Sequence, residues 1–203
     1  MGDPLPQKAM PVSSVSGPKT DLSYWRAQDL AALIRHIVEY HHAFVRRELA
    51  LIHEIVGACS ELAIDSQDSF DALRRFIGEV SKDIFAHLSK EEKRFFPAIL
   101  ALEQGHVAED MRKLLRELEA EHTQVGESLA LKQLPLFQEL LPLDRSLRLS
   151  ELHRRLKRFM DDLAIHIALE RDVLFPKAEA MWEAATFRMQ PEDRPVLSSG
   201  SFQ

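Results

Sequence analysis

The sequence predicts an all-α protein, an antiparallel up-down-up-down four-helix bundle. Three observations predict it. Apolar residues recur at three- and four-residue spacing through four long segments, the pattern of one helical face. Glycine is scarce, 7 in 203 residues, while leucine, alanine, glutamate and arginine are common, a bias toward helix over sheet. The connections between the segments are short, which favours antiparallel neighbours. No alternating strand pattern and no glycine-rich phosphate loop is readable.

Residues 1–20 contain Pro4, Pro6, Pro11 and Pro18 with Ser and Gly, and are expected to form a disordered arm. The bundle is expected over 21–186. Its first helix is predicted from about Gln28 to Ser60, with Leu30, Leu33, Ile34, Ile37, Phe44, Val45, Leu49, Ile52, Val56 and Cys59 on one stripe. The second is predicted from about Ser69 to Leu102, with Gly105 as its stop, and carries Phe70, Leu73, Ile77, Val80, Ile84, Leu88 and Phe95. The third is predicted from about Val107 to Lys132, after which Pro135 and Pro142 break the pattern. The fourth is predicted from about Leu147 to Glu183. Pro97 and Pro176 are expected to kink the ends of helices two and four. Residues 187–203 read as a disordered tail.

Composition excludes several classes. A formal net charge of −6 argues against a general nucleic-acid binder, which presents a basic face. No apolar run approaches the roughly 18 residues of a membrane span, and residues 1–20 lack the apolar core of a signal peptide. A single cysteine, Cys59, rules out an internal disulfide or a thiolate cluster. A cytoplasmic location is the expectation. No Ser-His-Asp or Cys-His arrangement for nucleophilic catalysis is readable, so a metal-binding protein is expected rather than an enzyme, with redox side activity at the metal left open.

The informative feature is an internal repeat. Residues 87–97 read HLSKEEKRFFP and residues 166–176 read HIALERDVLFP. Both are His, three residues, Glu, four residues, Phe-Pro. Upstream of each, HAFVRREL at 42–49 matches HTQVGESL at 122–129, aligning His42 with His122, Val45 with Val125 and Leu49 with Leu129. Each half of the chain is a helix with one histidine followed by a helix with His-x-x-x-Glu. Two such hairpins imply a pseudo-twofold bundle with a shared site between them.

Residues four apart share a helix face, so His87 and Glu91 point the same way, as do His166 and Glu170. Both pairs fall inside apolar stripes, and His122 does too. Taken singly, each of these histidines reads as an ordinary core or boundary residue. Taken together, imidazoles and two carboxylates are aimed at one core with no Arg or Lys on the stripes. Burying a carboxylate costs several kcal/mol unless it is paired or metal-bound, so a metal is the economical partner. The helical wheel centres His41 and puts His42 at the stripe edge, but the repeat spacing favours His42. His42 is taken as the ligand and His41 as a packed neighbour. His36, His53, His106 and His153 fall off the pattern and read as surface or structural residues.

Imidazole and carboxylate donors suit Fe, Zn or Mn, and the lack of thiolates removes an iron–sulfur cluster. Six donors exceed the needs of one tetrahedral zinc. Two glutamates on opposing helices can each bridge two ions, which points to a carboxylate-bridged di-iron centre with open positions for O₂ or NO. The ferritin-like arrangement uses Glu-x-x-His and more carboxylates, unlike the i, i+4 pairs here.

At HIVEYHHAFVRREL (36–49), HLSKEEKRFFP, EAEHTQVGESL (119–129) and HIALERDVLFP the chain resembles the hemerythrin-like (HHE cation-binding) family, across about residues 28–182. More closely it is similar to the C-terminal domain of the repair-of-iron-centres proteins. The resemblance implies a four-helix bundle, two non-haem irons, and His42, His87, Glu91, His122, His166 and Glu170 as metal ligands. It implies protection of iron–sulfur proteins in nitrosative or oxidative stress. There are two departures. The cysteine-bearing N-terminal domain usual in the repair proteins has no counterpart in residues 1–20. Ala63 also stands where the family places a further histidine; His53, Glu61 or Asp65 substitutes, or one iron keeps an extra open site. An oxygen carrier or sensor without repair activity, and a metal-free structural or partner-binding bundle, remain as alternative readings.

Overall fold

The computed structural model describes residues 21–60, 67–108, 110–140 and 147–189. All regular structure among them is helical: a short first helix and four rods. Helix α1 is Leu22–Ala27, capped by the Asp21 carboxylate, which accepts from the Ser23 and Tyr24 amides at 2.9 and 3.3 Å. Asp29 caps the next rod by accepting from the Ala32 amide at 2.6 Å. That rod, α2, spans residues 30–60 as Leu30–His36, a π turn Ile37–His42, and Ala43–Ser60. Rod α3 spans residues 67–103 as Gln67–Lys90, a π turn Glu91–Phe95, and Phe96–Glu103. Rod α4 is Met111–Leu140. Rod α5 spans residues 147–189 as Leu147–Leu169, a π turn Glu170–Leu174, and Phe175–Met189.

Cross-helix pairs fix the topology, because each set runs in opposite senses along its two rods. Between α2 and α3, His42 meets Glu92 and His53 meets Ser81. Between α3 and α4, His87 meets Glu121 and Arg94 meets Asp110. Between α2 and α5, His41 meets Asp162 and Glu48 meets Arg155. Between α4 and α5, Arg112 meets Glu183 and His122 meets Glu170. The rods are antiparallel neighbours around a square.

Several boundaries differ from the sequence expectation. Rod α4 does not stop at Lys132 but continues through Pro135 to Leu140. A proline inside a helix removes one hydrogen bond and bends the rod, without necessarily ending it. Rod α5 runs past Glu183 to Met189. Pro97 and Pro176 do not sit at helix ends; each follows a π turn, in which the Phe96 amide donates to the Glu91 carbonyl and the Phe175 amide to the Glu170 carbonyl, five residues back. The wider turn is where the rod accommodates a proline ring that would press on the carbonyl four residues earlier. The expectations for residues 1–20, for Pro142 and for most of 187–203 lie outside the described residues.

Gly105 does end α3. Its φ is 86°, in the left-handed region, with the His106 amide donating to the Ala101 carbonyl and the Gly105 amide to Leu102, both at 3.0 Å. This is a Schellman closure, which needs a residue without a Cβ penalty. Gly105→Ala is expected to lower stability by about 1–2 kcal/mol, read as a shift of the urea midpoint at unchanged slope.

The apolar interior forms two clusters with a polar belt between them. One holds Val45, Leu49, Ile52, Phe70, Leu73, Leu88, Leu152 and Phe159. The other holds Leu33, Ile37, Phe95, Ile99, Met111, Leu118, Leu174 and Phe175. Between them lie His41, His42, His87, Glu91, His166 and Glu170, all buried.

Candidate metal centre

All six residues singled out in the sequence meet in this belt. His42, Glu91, His166 and Glu170 form one group, and His87, Glu91, His122 and Glu170 a second; within each, one side-chain N or O per residue lies within 4.8 Å of the others. Both groups share both glutamates. The π turns help to set this geometry. Glu91 and Glu170 each begin one, and His42 ends the third. Because a π turn joins residues five apart, it carries His42 toward the face of Ile37, and both Ile37 and His42 are fully buried.

The contacts within the belt are close. His42 Nε2 is 3.2 Å from His166 Nε2 and 3.4 Å from Glu91 Oε2. His87 Nε2 is 3.1 Å from both His122 Nε2 and Glu91 Oε1. His122 Nε2 is 3.1 Å from Glu170 Oε2, and His166 Nε2 is 2.9 Å from Glu170 Oε1. Donor atoms each about 2.1 Å from one ion, at right angles, lie about 3.0 Å apart. Glu91 Oε1 and Oε2 and Glu170 Oε2 are buried with no well-aligned hydrogen bond, and what faces them at 3.1–3.4 Å is imidazole nitrogen. Oxygens left in that state are costly, and an ion is the partner this nitrogen and oxygen donor set fits.

The outer ring nitrogens show what sequence reading missed. His42 Nδ1 lies 2.7 Å from Glu92 Oε1, and that carboxylate also accepts from Arg46 at 2.9 Å. His87 Nδ1 lies 2.8 Å from Glu121 Oε2, which Lys90 also contacts. A carboxylate behind an imidazole holds the Nδ1 proton and turns the Nε2 lone pair inward. Glu92 follows Glu91 directly and Glu121 precedes His122; their adjacency to ligand positions was the only signal available. His41 stays out of both four-residue groups. It contacts Asp162 at 3.1 Å and stacks on His166, with ring centroids 5.7 Å apart. His53 does not replace the histidine absent at Ala63: it pairs with Ser81 Oγ at 2.9 Å. Ala63, Glu61 and Asp65 lie outside the described residues.

A surface pocket borders the belt on the α3–α4 side. It measures about 190 Å³, is lined by Asp83, His87, Lys90, Glu121 and Gln124, and ends at His87. Beside it a small apolar void lined by Ile84, Leu88, Leu163 and Ile167 touches His87, His122 and His166.

The electrostatics of the metal-free belt follow from burial opposed by charge. Burial pulls the His87 imidazole down, but Glu91, then Glu170 and Glu121, outweigh it and hold His87 up at about 9. Burial also pulls His166 down, and Glu170 and Glu91 raise it above its ordinary value. Glu170 is pushed up by burial and held well below the usual carboxylate range by His166 and His122. A raised histidine stabilises the fold fully below its unfolded value near 6.5 and loses that contribution as pH climbs through the folded value. A depressed carboxylate contributes above its unfolded value near 4.5 and loses it as pH falls. Metal-free protein is therefore expected to be most stable near pH 5–6 and to weaken between about pH 6.5 and 9. Urea midpoints measured across pH 5–9.5 check this; a flat profile contradicts it.

A helical bundle with two overlapping groups of buried histidine and carboxylate donors defines a metal-binding bundle protein. Residues 33–178 match the family model of the hemerythrin HHE cation binding domain, and the chain belongs to that family. It is 28% identical over 156 residues to the iron-sulfur cluster repair protein YtfE of Escherichia coli O157:H7, covering 77% of this chain and 69% of that protein. Identity and coverage are the same for the iron-sulfur cluster repair protein YtfE of Enterobacter sp. (strain 638). No helix among the described residues is long and apolar enough to cross a membrane.

Proposed function

We propose that this chain holds two non-haem iron ions bridged by Glu91 and Glu170, with His42 and His166 on one ion and His87 and His122 on the other. The observation that carries the reading is the pair of four-donor groups sharing both fully buried glutamates, with imidazole and carboxylate donor atoms converging on each other. Bound iron supplies open positions for a diatomic ligand and one-electron redox chemistry. The chain supplies the rest. Glu92 and Glu121 orient two imidazoles, the two apolar clusters flank the belt, and a small apolar void borders His87, His122 and His166.

The physiological role we assign is defence of iron–sulfur proteins in nitrosative and oxidative stress, in the cytoplasm. The relatives' name, iron-sulfur cluster repair protein, supports the iron–sulfur part of this role. The test is to damage an iron–sulfur enzyme with NO and add this protein. Recovered activity that is absent with the Glu91→Ala variant supports the role. Equal recovery with and without the protein refutes it, and a reversible oxygen adduct in that case indicates a carrier or sensor.

Glu92→Gln removes the charge behind His42 while keeping its shape. Iron affinity is expected to drop roughly 10–100-fold, measured by competition with a chelator of known affinity. An unchanged affinity would mean that the carboxylate does not orient His42.

A further inference from the structure

We propose that the ring faces of Phe175 and His41 hold the imidazole planes of His122 and His166, the two ligand histidines with no carboxylate behind Nδ1. Phe175 and His41 are then positioning residues of the centre, and the proposal rests on the iron-centre reading above. A histidine's χ2 torsion is broad and roughly two-fold, so the helix backbone does not fix the ring plane. A ring turned over presents carbon where Nε2 should stand. A ring turned partway aims its lone pair past the ion. Each ligand imidazole therefore needs a further contact to orient it.

The four rings divide by what supplies that contact. His42 Nδ1 and His87 Nδ1 each meet a carboxylate, Glu92 at 2.7 Å and Glu121 at 2.8 Å. The Nδ1 atoms of His122 and His166 are buried with no hydrogen-bond partner among the described residues. Those two rings lie nearly parallel to an aromatic face. His122 lies on Phe175 with centroids 5.5 Å apart and 6° between planes, and His166 lies on His41 at 5.7 Å and 11°. The stack of His42 on Phe96 is wider and less parallel, 5.8 Å and 23°, and His87 meets the His122 ring at a tilt of 55°.

The holding faces are themselves fixed. Phe175 is buried, and Phe95 meets it edge-on at 5.3 Å and 86°. His41 is buried, paired with Asp162 at 3.1 Å, and Tyr40 meets it edge-on at 4.9 Å and 88°. A parallel stack in a close-packed interior resists rotation about χ2, because turning drives the imidazole edge into the neighbouring ring. The internal repeat supplies its own comparison. Phe96 and Phe175 occupy the same place in the Phe-Pro that follows each His-x-x-x-Glu. His42 has a carboxylate and a face, whereas His122 has a face without a carboxylate.

The test has two arms. The first uses nuclear magnetic resonance of metal-free protein with isotope-labelled histidine, so it stands whether or not iron binds. The His122 ring signals are expected to be single in the unaltered chain and to broaden or double in Phe175→Leu, while those of His87 stay single. A single sharp set of His122 signals in Phe175→Leu overturns the proposal. The second arm is competition for ferrous iron with a chelator of known affinity. Phe175→Leu is expected to weaken the hold on one ion roughly three- to tenfold, and Phe96→Leu by less than about twofold, because Glu92 still holds His42. Phe159→Leu, at a buried position of the other apolar cluster, should leave iron affinity unchanged. His41→Leu and His41→Phe both leave Asp162 without its partner, so the difference between them reads the ring face. His41→Phe is expected to hold iron roughly three- to tenfold more tightly than His41→Leu. Equal affinities in that pair, or equal losses in Phe175→Leu and Phe96→Leu, overturn the proposal. An unaltered chain that binds no iron, but whose His122 signals change as expected in the first arm, refutes the iron reading and upholds the holding of the rings.

Discussion

Purified Glu170→Ala protein is expected to hold almost no iron, and the unaltered chain is expected to hold about two ions. Glu170 contributes to both donor groups, so its loss opens both positions at once. His166 and His122 lose their nearest carboxylate, at 2.9 and 3.1 Å. Plasma emission on protein purified without added metal reads the result directly. One ion per chain in the unaltered protein would show that the two positions do not fill together, and would point to the histidine missing at Ala63. No iron in protein that stays folded would favour the metal-free bundle. Glu170→Gln would then lower stability, because Glu170 is the carboxylate that His166 and His122 face in the metal-free belt, and removing one partner of a buried pair is destabilising.

Removing the metal is expected to produce the second large effect. An ion that binds the folded chain and not the unfolded one stabilises it by about 4 kcal/mol at a thousandfold excess over its dissociation constant. For a chain of this length, each kcal/mol moves the thermal midpoint by about 2–4 °C. Chelation is therefore expected to lower that midpoint by roughly 8–16 °C, measured by calorimetry with and without added ferrous iron. The shift should shrink at acid pH, because protons compete for His87 and His166. Equal midpoints with and without iron would contradict binding to the folded centre.

Much of the fold was legible because helical periodicity is local. In the first two helices most residues of the apolar stripes named from spacing, from Leu33 and Leu49 to Leu73 and Phe95, lie in the two buried clusters. Gly105 was legible as a stop because a left-handed closure demands glycine. Pro135 misled, because a proline signals local disruption and not whether flanking contacts carry a helix past it. The π turns were invisible to a uniform 100° wheel. The Phe-Pro following each His-x-x-x-Glu was their nearest trace, and it was read as a kink at a helix end.

By itself the sequence determined the repeat, the four amphipathic faces, and the inward aim of His87, Glu91, His122, His166 and Glu170. Those follow from positions three, four and seven apart along single helices, where backbone geometry alone sets which side chains share a face. The repeat spacing favoured His42 over a helical wheel that centred His41, and the tertiary structure brought His42 into a donor group; that structure alone decided that Glu92, Glu121 and Asp162 stand behind the imidazoles. Those outcomes depend on the rotation of each rod about its axis and on partners 34 to 121 residues away in the chain. No spacing within one helix carries that information.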